Sequence, residues 1–403
     1  MRQTRLASLV LILSLLTALP ALAVGSYAVA ATSSSTVGPL TRTETVVTSG
    51  PGALDRFKAV RLSRTGSQPS HGSLLLLPPL GPSFAFYEQR DASGALGSSV
   101  AEFFALRGYD VWGYALRMEG IPSGTCEAGV VDCSPMAAWN FDLMVEDITF
   151  LRSLIETARP GGGVVLGGTS LGAMLTIAAV NAHPTDYRGA IVWEGSLASD
   201  DPVVRTLNQG YCAGLEAQIA AGLTVDGVGT GVFREVARQA DKAPQGLTTI
   251  PLFPPVFTNH QLLIALLSTP SPGPVSGPLP GYIQLAGDPA ADRLTFADED
   301  RLLANVGFFV NYVPNILVRD VSCSLAGVDT HLTSNLGAFT APVLGIGGGR
   351  AFGPAIDDVL SRFGSSSVTL LIEPEFGHVD HFFSRRHRDF VELPILEFLR
   401  RAL

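Results

Sequence analysis

One serine in this sequence stands where it could act as a nucleophile. Ser170 is the central residue of Gly168-Thr169-Ser170-Leu171-Gly172, with an apolar run at residues 164–166 before it and a helical apolar run at residues 174–180 after it. A serine at a sharp turn from strand to helix exposes its hydroxyl, and the two glycines let neighbouring backbones pass closely. The pattern predicts a nucleophile; the alternative is a glycine-rich turn whose serine only caps the helix.

A histidine far along the chain could serve this serine as a general base. Of the seven histidines, only His378 follows a predicted buried strand, residues 368–372, through a short loop. An imidazole can take a proton near neutral pH and return it. The alternatives are a loop histidine without a catalytic role, or a metal site with Asp380 and His381. Because the sequence shows no further cluster of ligands, we expect no metal.

A carboxylate is needed to orient the histidine, and the sequence offers more than one. Glu194 follows a predicted buried strand at residues 188–193, where a charge is hard to explain as part of the core. It is our first choice for the acid, and Asp357 or Asp358 is the second. The alternative for Glu194 is a salt bridge or a turn-capping carboxylate.

The elements that must position these residues alternate between strands and helices. Residues 32–198 and 337–403 carry the alternation, which predicts an α/β core with a mostly parallel sheet flanked by helices. Residues 199–336 lack it, are rich in proline and glycine, and are predicted to form an inserted, mainly helical cap. The predicted strands are residues 43–48, 57–63, 73–77, 109–116, 164–166, 188–193, 342–346 and 368–372, and the main predicted helices are residues 96–106, 136–157, 174–180, 355–363 and 388–401.

This arrangement resembles the α/β-hydrolase superfamily. The resemblance rests on the serine turn, the order of strands and helices, the inserted segment, and Gly377-His378-Val379-Asp380, which is similar to the GHxD ending of many lipases. It covers most of the chain after the N-terminal segment and matches no particular family. In the superfamily the nucleophile, the acid and the histidine follow in this order, which fits Ser170 and His378 with Glu194, or with Asp357 or Asp358, between them.

The resemblance also implies where the acid and the oxyanion donors lie. The acid usually follows the seventh strand, where this sequence has Arg350, but some members place it after the sixth, where it has Glu194. One oxyanion donor is the N–H of the residue after the nucleophile, Leu171. The other comes from the loop after the third strand, where Leu80 and Gly81 are the candidates because the prolines around them lack an N–H.

The chemistry implied by this resemblance is ester hydrolysis through an acyl-enzyme, which requires neither metal nor cofactor. Charged residues make up 16% of the chain against a typical value of roughly 25%, and the mean hydropathy is +0.31. The predicted cap has apolar patches at residues 253–257, 262–267 and 306–313, so we expect a small-molecule or lipid-like ester with a hydrophobic acyl or alcohol part. The alternative is that these patches only pack over the core. The alternatives are an acyltransferase of the same fold and a catalytically inactive binding protein. The sequence does not indicate an oligomeric state.

The net charge of −9 argues against nucleic acids and anionic membranes as partners, because both require clustered lysines and arginines. At the N-terminus, Arg2 and Arg5 precede an apolar run at residues 6–24 and small residues that suit signal peptidase. We expect a secreted protein: residues 1–31 form a cleaved signal peptide and lead-in, residues 31–41 lack regular structure, and no stable membrane span is left. An uncleaved anchor is the alternative.

The number of cysteines is consistent with a secreted protein. The chain has four, Cys126, Cys133, Cys212 and Cys323, an even number as expected of a disulfide framework outside the cytosol. Three pairings are possible, and the simplest joins Cys126 to Cys133 and Cys212 to Cys323. The first bond would close a short loop, and the second would tie the two ends of the inserted segment.

Overall fold

A computed structural model describes residues 27–66, 71–81, 83–91, 93–126, 128–226, 228–251, 256–268, 283–284, 293–306, 310–378 and 380–403. Most of the predicted signal segment lies outside these residues, so the signal peptide stays a prediction. Among the helices of the described segments, none is both long and apolar enough to cross a lipid bilayer.

Strands of the described chain form one large sheet and two small pairs. They are β1 (Ala28–Val37), β2 (Leu40–Thr48), β3 (Arg56–Arg64), β4 (Ser73–Leu77), β5 (Asp110–Ala115), β6 (Val164–Thr169), β7 (Gly189–Trp193), β8 (Val225–Asp226), β9 (Ile283–Gln284), β10 (Arg293–Leu294), β11 (Val313–Pro314), β12 (Val343–Gly348) and β13 (Val368–Glu373).

Helices connect and flank these strands. They are α1 (Ala85–Glu88), α2 (Val100–Ala105), α3 (Phe141–Ala158), α4 (Leu171–Ala182), α5 (Pro202–Ala220), α6 (Val228–Lys242), α7 (Asn259–Ser268), α8 (Glu299–Val306), α9 (Asn315–Leu325), α10 (Gly353–Leu360), α11 (Asp380–Phe383) and α12 (Leu393–Ala402). Short 3₁₀ turns lie at Ser134–Ala138 and Leu336–Ala338, and a π-helical turn lies at Arg388–Glu392.

The large sheet has nine strands in the order β1-β2-β3-β5-β4-β6-β7-β12-β13. The six strands from β5 to β13 pair in parallel, whereas β1, β2 and β3 form an antiparallel edge. Parallel strands all end at one edge of the sheet, so the loops after β4, β6, β7, β12 and β13 lie along the same edge.

The parallel strands are apolar because helices cover both of their faces. In β4, Leu75 and Leu77 pack into one core cluster with α3 and α4, while Leu74 and Leu76 pack into a second cluster with α2 and α12. Successive side chains of a strand point to opposite faces, so a strand that is buried on both sides has no solvent-facing position for a polar side chain. This constraint explains the unbroken leucine run of residues 74–77.

At the N-terminal edge the prediction was wrong. Residues 31–41 were expected to lack regular structure, but β1 and β2 form an antiparallel hairpin whose turn holds Gly38 at φ +58°. Every residue of β1 is exposed except Val37, which is half-buried. Hydroxyls pair across the strands, as between Ser34 Oγ and Thr43 Oγ1 at 2.9 Å. Because neither face of β1 is buried, the strand lacks the apolar alternation on which sequence reasoning relies.

Two predicted helices begin later than their apolar patterns suggest. The helix expected from residue 96 begins at Val100, because the Ser99 hydroxyl accepts a hydrogen bond from the N–H of Glu102. The helix expected from residue 136 is divided into a 3₁₀ turn and α3, where the Asn140 side chain caps the N–H of Leu143 at 3.0 Å. Side chains that bind backbone N–H groups outside the helix set its start.

Between β7 and β12 the described chain contains helices α5 to α9 and the short strands β8 to β11. A disulfide between Cys212 in α5 and Cys323 in α9 closes a loop with a sequence separation of 111, and a second joins Cys126 to Cys133 with a separation of 7. The structure thus contains the simplest of the three possible pairings. The boundaries of the cap, residues 199–336, stay a prediction.

Removing the two disulfides should have unequal effects. A cross-link stabilises mainly by restricting the unfolded chain, and its contribution grows with the length of the closed loop. We expect the Cys212→Ala/Cys323→Ala variant to lose about 5 kcal/mol of unfolding free energy and the Cys126→Ala/Cys133→Ala variant about 2 kcal/mol. Urea unfolding under non-reducing conditions measures both losses. Equal losses would contradict the loop-length argument.

Candidate active site

Ser170 lies at the turn between β6 and α4 in a strained backbone conformation, with φ 54° and ψ −117°. Its N–H donates to the carbonyl of Trp193 at 2.9 Å. A Cβ on Gly168 would lie 2.4 Å from the Gly172 carbonyl, and one on Gly172 would lie 2.0 Å from the Leu77 carbonyl oxygen. Both glycines are therefore required for the turn to pack against β4, which holds the serine at the sheet edge.

His378 lies in the loop after β13 and faces this serine. Its Nε2 is 3.0 Å from Ser170 Oγ, which is hydrogen-bond distance. The rings of Phe352 and Phe382 pack near the imidazole, with centroids at 5.2 and 6.1 Å. The side chain of His378 is 16% exposed, so part of it still reaches solvent.

Glu194 completes the line of hydrogen bonds from a fully buried position. Its Oε2 lies 2.9 Å from His378 Nδ1, and its Oε1 accepts the backbone N–H of Gly348. The residue has φ +53°, which is uncommon for a side chain other than glycine, and its own N–H donates to the carbonyl of Ile346 at 2.9 Å. The structure thus brings Ser170, His378 and Glu194 together.

The alternative acids lie elsewhere. Asp358 on α10 accepts hydrogen bonds from the N–H of Asp200 at 2.8 Å and from the hydroxyl of Ser199 at 3.3 Å. Asp357 lies on the exposed face of the same helix. Neither carboxylate is among the hydrogen-bond partners of His378 in the described residues.

The residues predicted as oxyanion donors follow two neighbouring parallel strands, β4 and β6. Leu171 is the first residue of α4, where backbone N–H groups are free of helical partners. Leu80 is half-buried against the core and Gly81 has φ +102°. The carbonyl of Gly81 accepts the N–H of Val310 at 2.7 Å, so the inserted segment contacts this loop. Their role as donors stays a prediction.

Two buried residues beside Glu194, Asp380 and His381, were expected from the sequence only as possible metal ligands. Asp380 Oδ2 accepts the N–H of Gly377 at 2.7 Å, which fixes the turn that carries His378. Burial raises the pKa of Asp380 to about 7, against the effect of this N–H, and the charge of Glu194 adds to the rise. His381 is 1% exposed with Nε2 3.9 Å from Glu194 Oε1, and burial lowers its pKa.

In the described part of the chain, one group of three potential metal ligands has its atoms within 4.8 Å of one another: Cys212, Glu216 and Cys323. Both cysteines are bonded to each other in the disulfide, so their sulfurs are not thiolates. Asp380 and His381 are not in this group, and the polar side-chain contacts that the structure shows for them are with Gly377 and Glu194.

Comparisons with known proteins agree with this architecture. No protein-family model and no curated protein matches the sequence. Among solved structures, a candidate lipase from Sulfolobus solfataricus is similar with a TM-score of 0.63 and 14% identity, covering 91% of this chain and 95% of that one. A thermostable carboxyl esterase from Bacillus coagulans, in complex with glycerol, has a TM-score of 0.54 and 14% identity, covering 90% and 98%.

These similarities show the fold. The chain has the α/β-hydrolase fold, with a mostly parallel sheet flanked by helices. The fold class predicted from the sequence is confirmed.

The raised pKa of Asp380 predicts how the stability of the protein changes with pH. The folded state keeps this proton up to about pH 7, whereas the unfolded chain releases it near pH 4. Wild-type stability should therefore fall relative to Asp380→Asn as pH rises from 4 to 7, by a difference on the order of 4 kcal/mol. Urea unfolding at several pH values measures it. A constant difference between the two proteins would show that Asp380 ionises alike in both states.

Proposed function

We propose that this protein is a secreted serine hydrolase that cleaves carboxylic esters, with Ser170 as nucleophile, His378 as general base and Glu194 as the orienting acid. The observation that carries the proposal is the continuous line of contacts from Ser170 Oγ to His378 Nε2 at 3.0 Å and from His378 Nδ1 to Glu194 Oε2 at 2.9 Å. Ser170 lies on a strained turn between a strand and a helix, as nucleophilic serines of this fold do.

In the first half of the proposed reaction, Glu194 accepts the Nδ1–H of His378 and so leaves the lone pair of Nε2 directed at Ser170. His378 takes the hydroxyl proton while Ser170 Oγ forms a bond to the ester carbonyl carbon. The negative charge moves to the carbonyl oxygen, and Glu194 stabilises the imidazolium. When the tetrahedral intermediate collapses, His378 gives the proton to the leaving alcohol and an acyl-enzyme remains.

The oxyanion is held by the backbone N–H of Leu171 and by that of Leu80 or Gly81. Two observations support this assignment. Leu171 opens α4, so its N–H and the positive end of the helix dipole point toward the developing charge. The loop of Leu80 begins after Leu77, whose carbonyl accepts the hydroxyl of Tyr87 at 2.8 Å. Rigid donors cost no reorganisation when the charge forms.

In the second half, water replaces the alcohol. His378 removes a proton from the water as its oxygen attacks the acyl carbonyl, and the carboxylic acid leaves with Ser170 restored. The partial exposure of the His378 side chain supports access of water to the reacting atoms. All bonds form and break between substrate, water and side chains of this protein, so the steps need no cofactor.

The substrate we propose is an ester with a hydrophobic acyl or alcohol part. Phe352 and Phe382, whose rings pack near His378, provide an apolar environment for such a group. Of the apolar patches predicted in the cap, residues 253–257, 262–267 and 306–313, several residues lie outside the described chain. Leu262 and Leu263 are buried against the core, and therefore pack the fold. The two disulfides support an extracellular location.

Reactivity of the serine can be tested with a fluorophosphonate probe, which phosphonylates activated serines. We expect the wild type to be labelled, Ser170→Ala to be unlabelled, and Ser366→Ala, a change at an exposed serine, to be labelled like wild type. In-gel fluorescence and mass spectrometry of the labelled peptide give the readout. A wild-type protein that resists the probe would instead favour a catalytically inactive binding protein.

The choice of acid can be tested on esters of graded acyl length. Glu194→Gln should lower kcat by about a thousandfold or more, because His378 loses its oriented tautomer. Asp357→Asn and Asp358→Asn should keep kcat near the wild-type value, since neither carboxylate contacts His378. Full activity of Glu194→Gln together with a large loss in an aspartate variant would refute the assignment. Measuring free acid against acylated alcohol in the same assay separates hydrolysis from acyl transfer.

A further inference from the structure

A second histidine lies against the acid of the proposed triad. His381 belongs to α11, which begins two residues after His378, and its side chain is 1% exposed. Its Nε2 lies 3.9 Å from Glu194 Oε1, the carboxylate oxygen that is not bonded to His378. The ring of Phe376 packs against the imidazole edge to face, at a centroid distance of 5.0 Å. The proposed reaction steps give His381 no role.

The carboxylate of Glu194 has fewer partners than it can bind. A carboxylate can accept about four hydrogen bonds. Here Oε1 accepts the N–H of Gly348 and Oε2 contacts Nδ1 of His378. Among the described residues, the basic side chains within ion-pair distance of Glu194 are the two histidines, His378 and His381. The nearby carboxyl of Asp380 repels the charge of Glu194 when it ionises. A further donor at Oε1 therefore stabilises this buried charge.

The imidazole of His381 is placed to be that donor. Neither of its ring nitrogens has a hydrogen-bond partner within the described segments, and buried polar atoms usually have one. Burial lowers the pKa of His381, against the charge of Glu194 and the carbonyl of Gly347, so near neutral pH the ring is uncharged and carries one N–H. A lone pair on Nε2 would face the carboxylate and be repelled by it. A proton on Nε2 instead directs an N–H dipole at Oε1, and a shift of about 1 Å makes a hydrogen bond.

We propose that His381 is a positioning residue of the triad, whose Nε2–H stabilises the charge of Glu194 at Oε1 and so keeps Oε2 directed at His378. It acts on the reaction only through Glu194, which holds His378 in the tautomer that can take the proton of Ser170. This inference rests on the proposed ester hydrolysis. Loss of the donor should lower kcat and leave KM nearly unchanged, because His381 takes no part in holding the substrate.

Two substitutions separate the donor of His381 from its ring. His381→Phe keeps an aromatic ring beside Phe376 but has no donor, whereas His381→Gln loses the ring and keeps an amide N–H. With 4-nitrophenyl butyrate as the ester, kcat of His381→Phe should fall by about tenfold or more, with KM within about twofold of wild type. We expect kcat of His381→Gln to stay within about threefold of wild type.

A matched control and the ranking of the two variants decide the outcome. His71→Phe changes an exposed histidine just before β4, at the opposite edge of the sheet from the triad, and should behave like wild type. If His381 only fills space, His381→Phe is the milder substitution. A His381→Phe variant as active as His381→Gln, or more active, would therefore overturn the proposal.

NMR spectroscopy of the wild type tests the proposal without turnover and without a variant that has to fold. Nitrogen shifts of isotope-labelled histidines report which ring nitrogen carries the proton, and we expect Nε2 of His381 to carry it. A proton on Nδ1 alone would overturn the proposal. If the fluorophosphonate probe leaves the wild type unlabelled, the proposed hydrolysis fails, and the tautomer of His381 still decides whether it donates to Glu194.

Discussion

The hydrogen bonds of the Glu194 carboxylate are the interaction on which the site depends. This side chain is fully buried, and a buried carboxylate is tolerated only when its oxygens find partners. One oxygen lies 2.9 Å from His378 Nδ1 and the other accepts the N–H of Gly348. These contacts join the ends of three adjacent strands, β7, β12 and β13. A change at any of these ends would therefore disturb the distance between His378 and Ser170.

The backbone around this carboxylate leaves almost no room for other residues. A Cβ on Gly195 would lie 2.3 Å from the carbonyl oxygen of Ser170, and one on Gly348 would lie 2.3 Å from that of Phe376. Ser170 and Glu194 themselves hold positive φ angles, a conformation that costs free energy and persists only when the surroundings enforce it. The hydrogen bond from Ser170 N–H to the Trp193 carbonyl couples these two strained positions.

Reasoning from the sequence identified the strands and helices that the local spacing of apolar residues predicts. The strand before Ser170 and the helix after it have the right periods, and the strand before His378 could be recognised in the same way, although β13 is more exposed than predicted. The choice among Glu194, Asp357 and Asp358 depends on which strand ends are neighbours, and periodicity carries no such information. The β1–β2 hairpin escaped prediction because hydroxyl pairs and backbone bonds, rather than a buried face, hold it.

The glycines at the end of β12 explain how a carboxylate after β7 can contact His378. An acid at the end of β12 would be the usual arrangement, but here residues 347–349 are glycines and Arg350 pairs with Glu375. Because β12 lies between β7 and β13, its missing side chains let the backbone of the loop after β13 pass close to Gly348 and Gly349, and this loop carries His378 to Glu194. Gly348 contributes its N–H to the same carboxylate. The absence of a side chain at the end of β12 and the presence of one after β7 thus belong together: the end of β12 gives both room for the loop that carries His378 and a hydrogen-bond donor to Glu194.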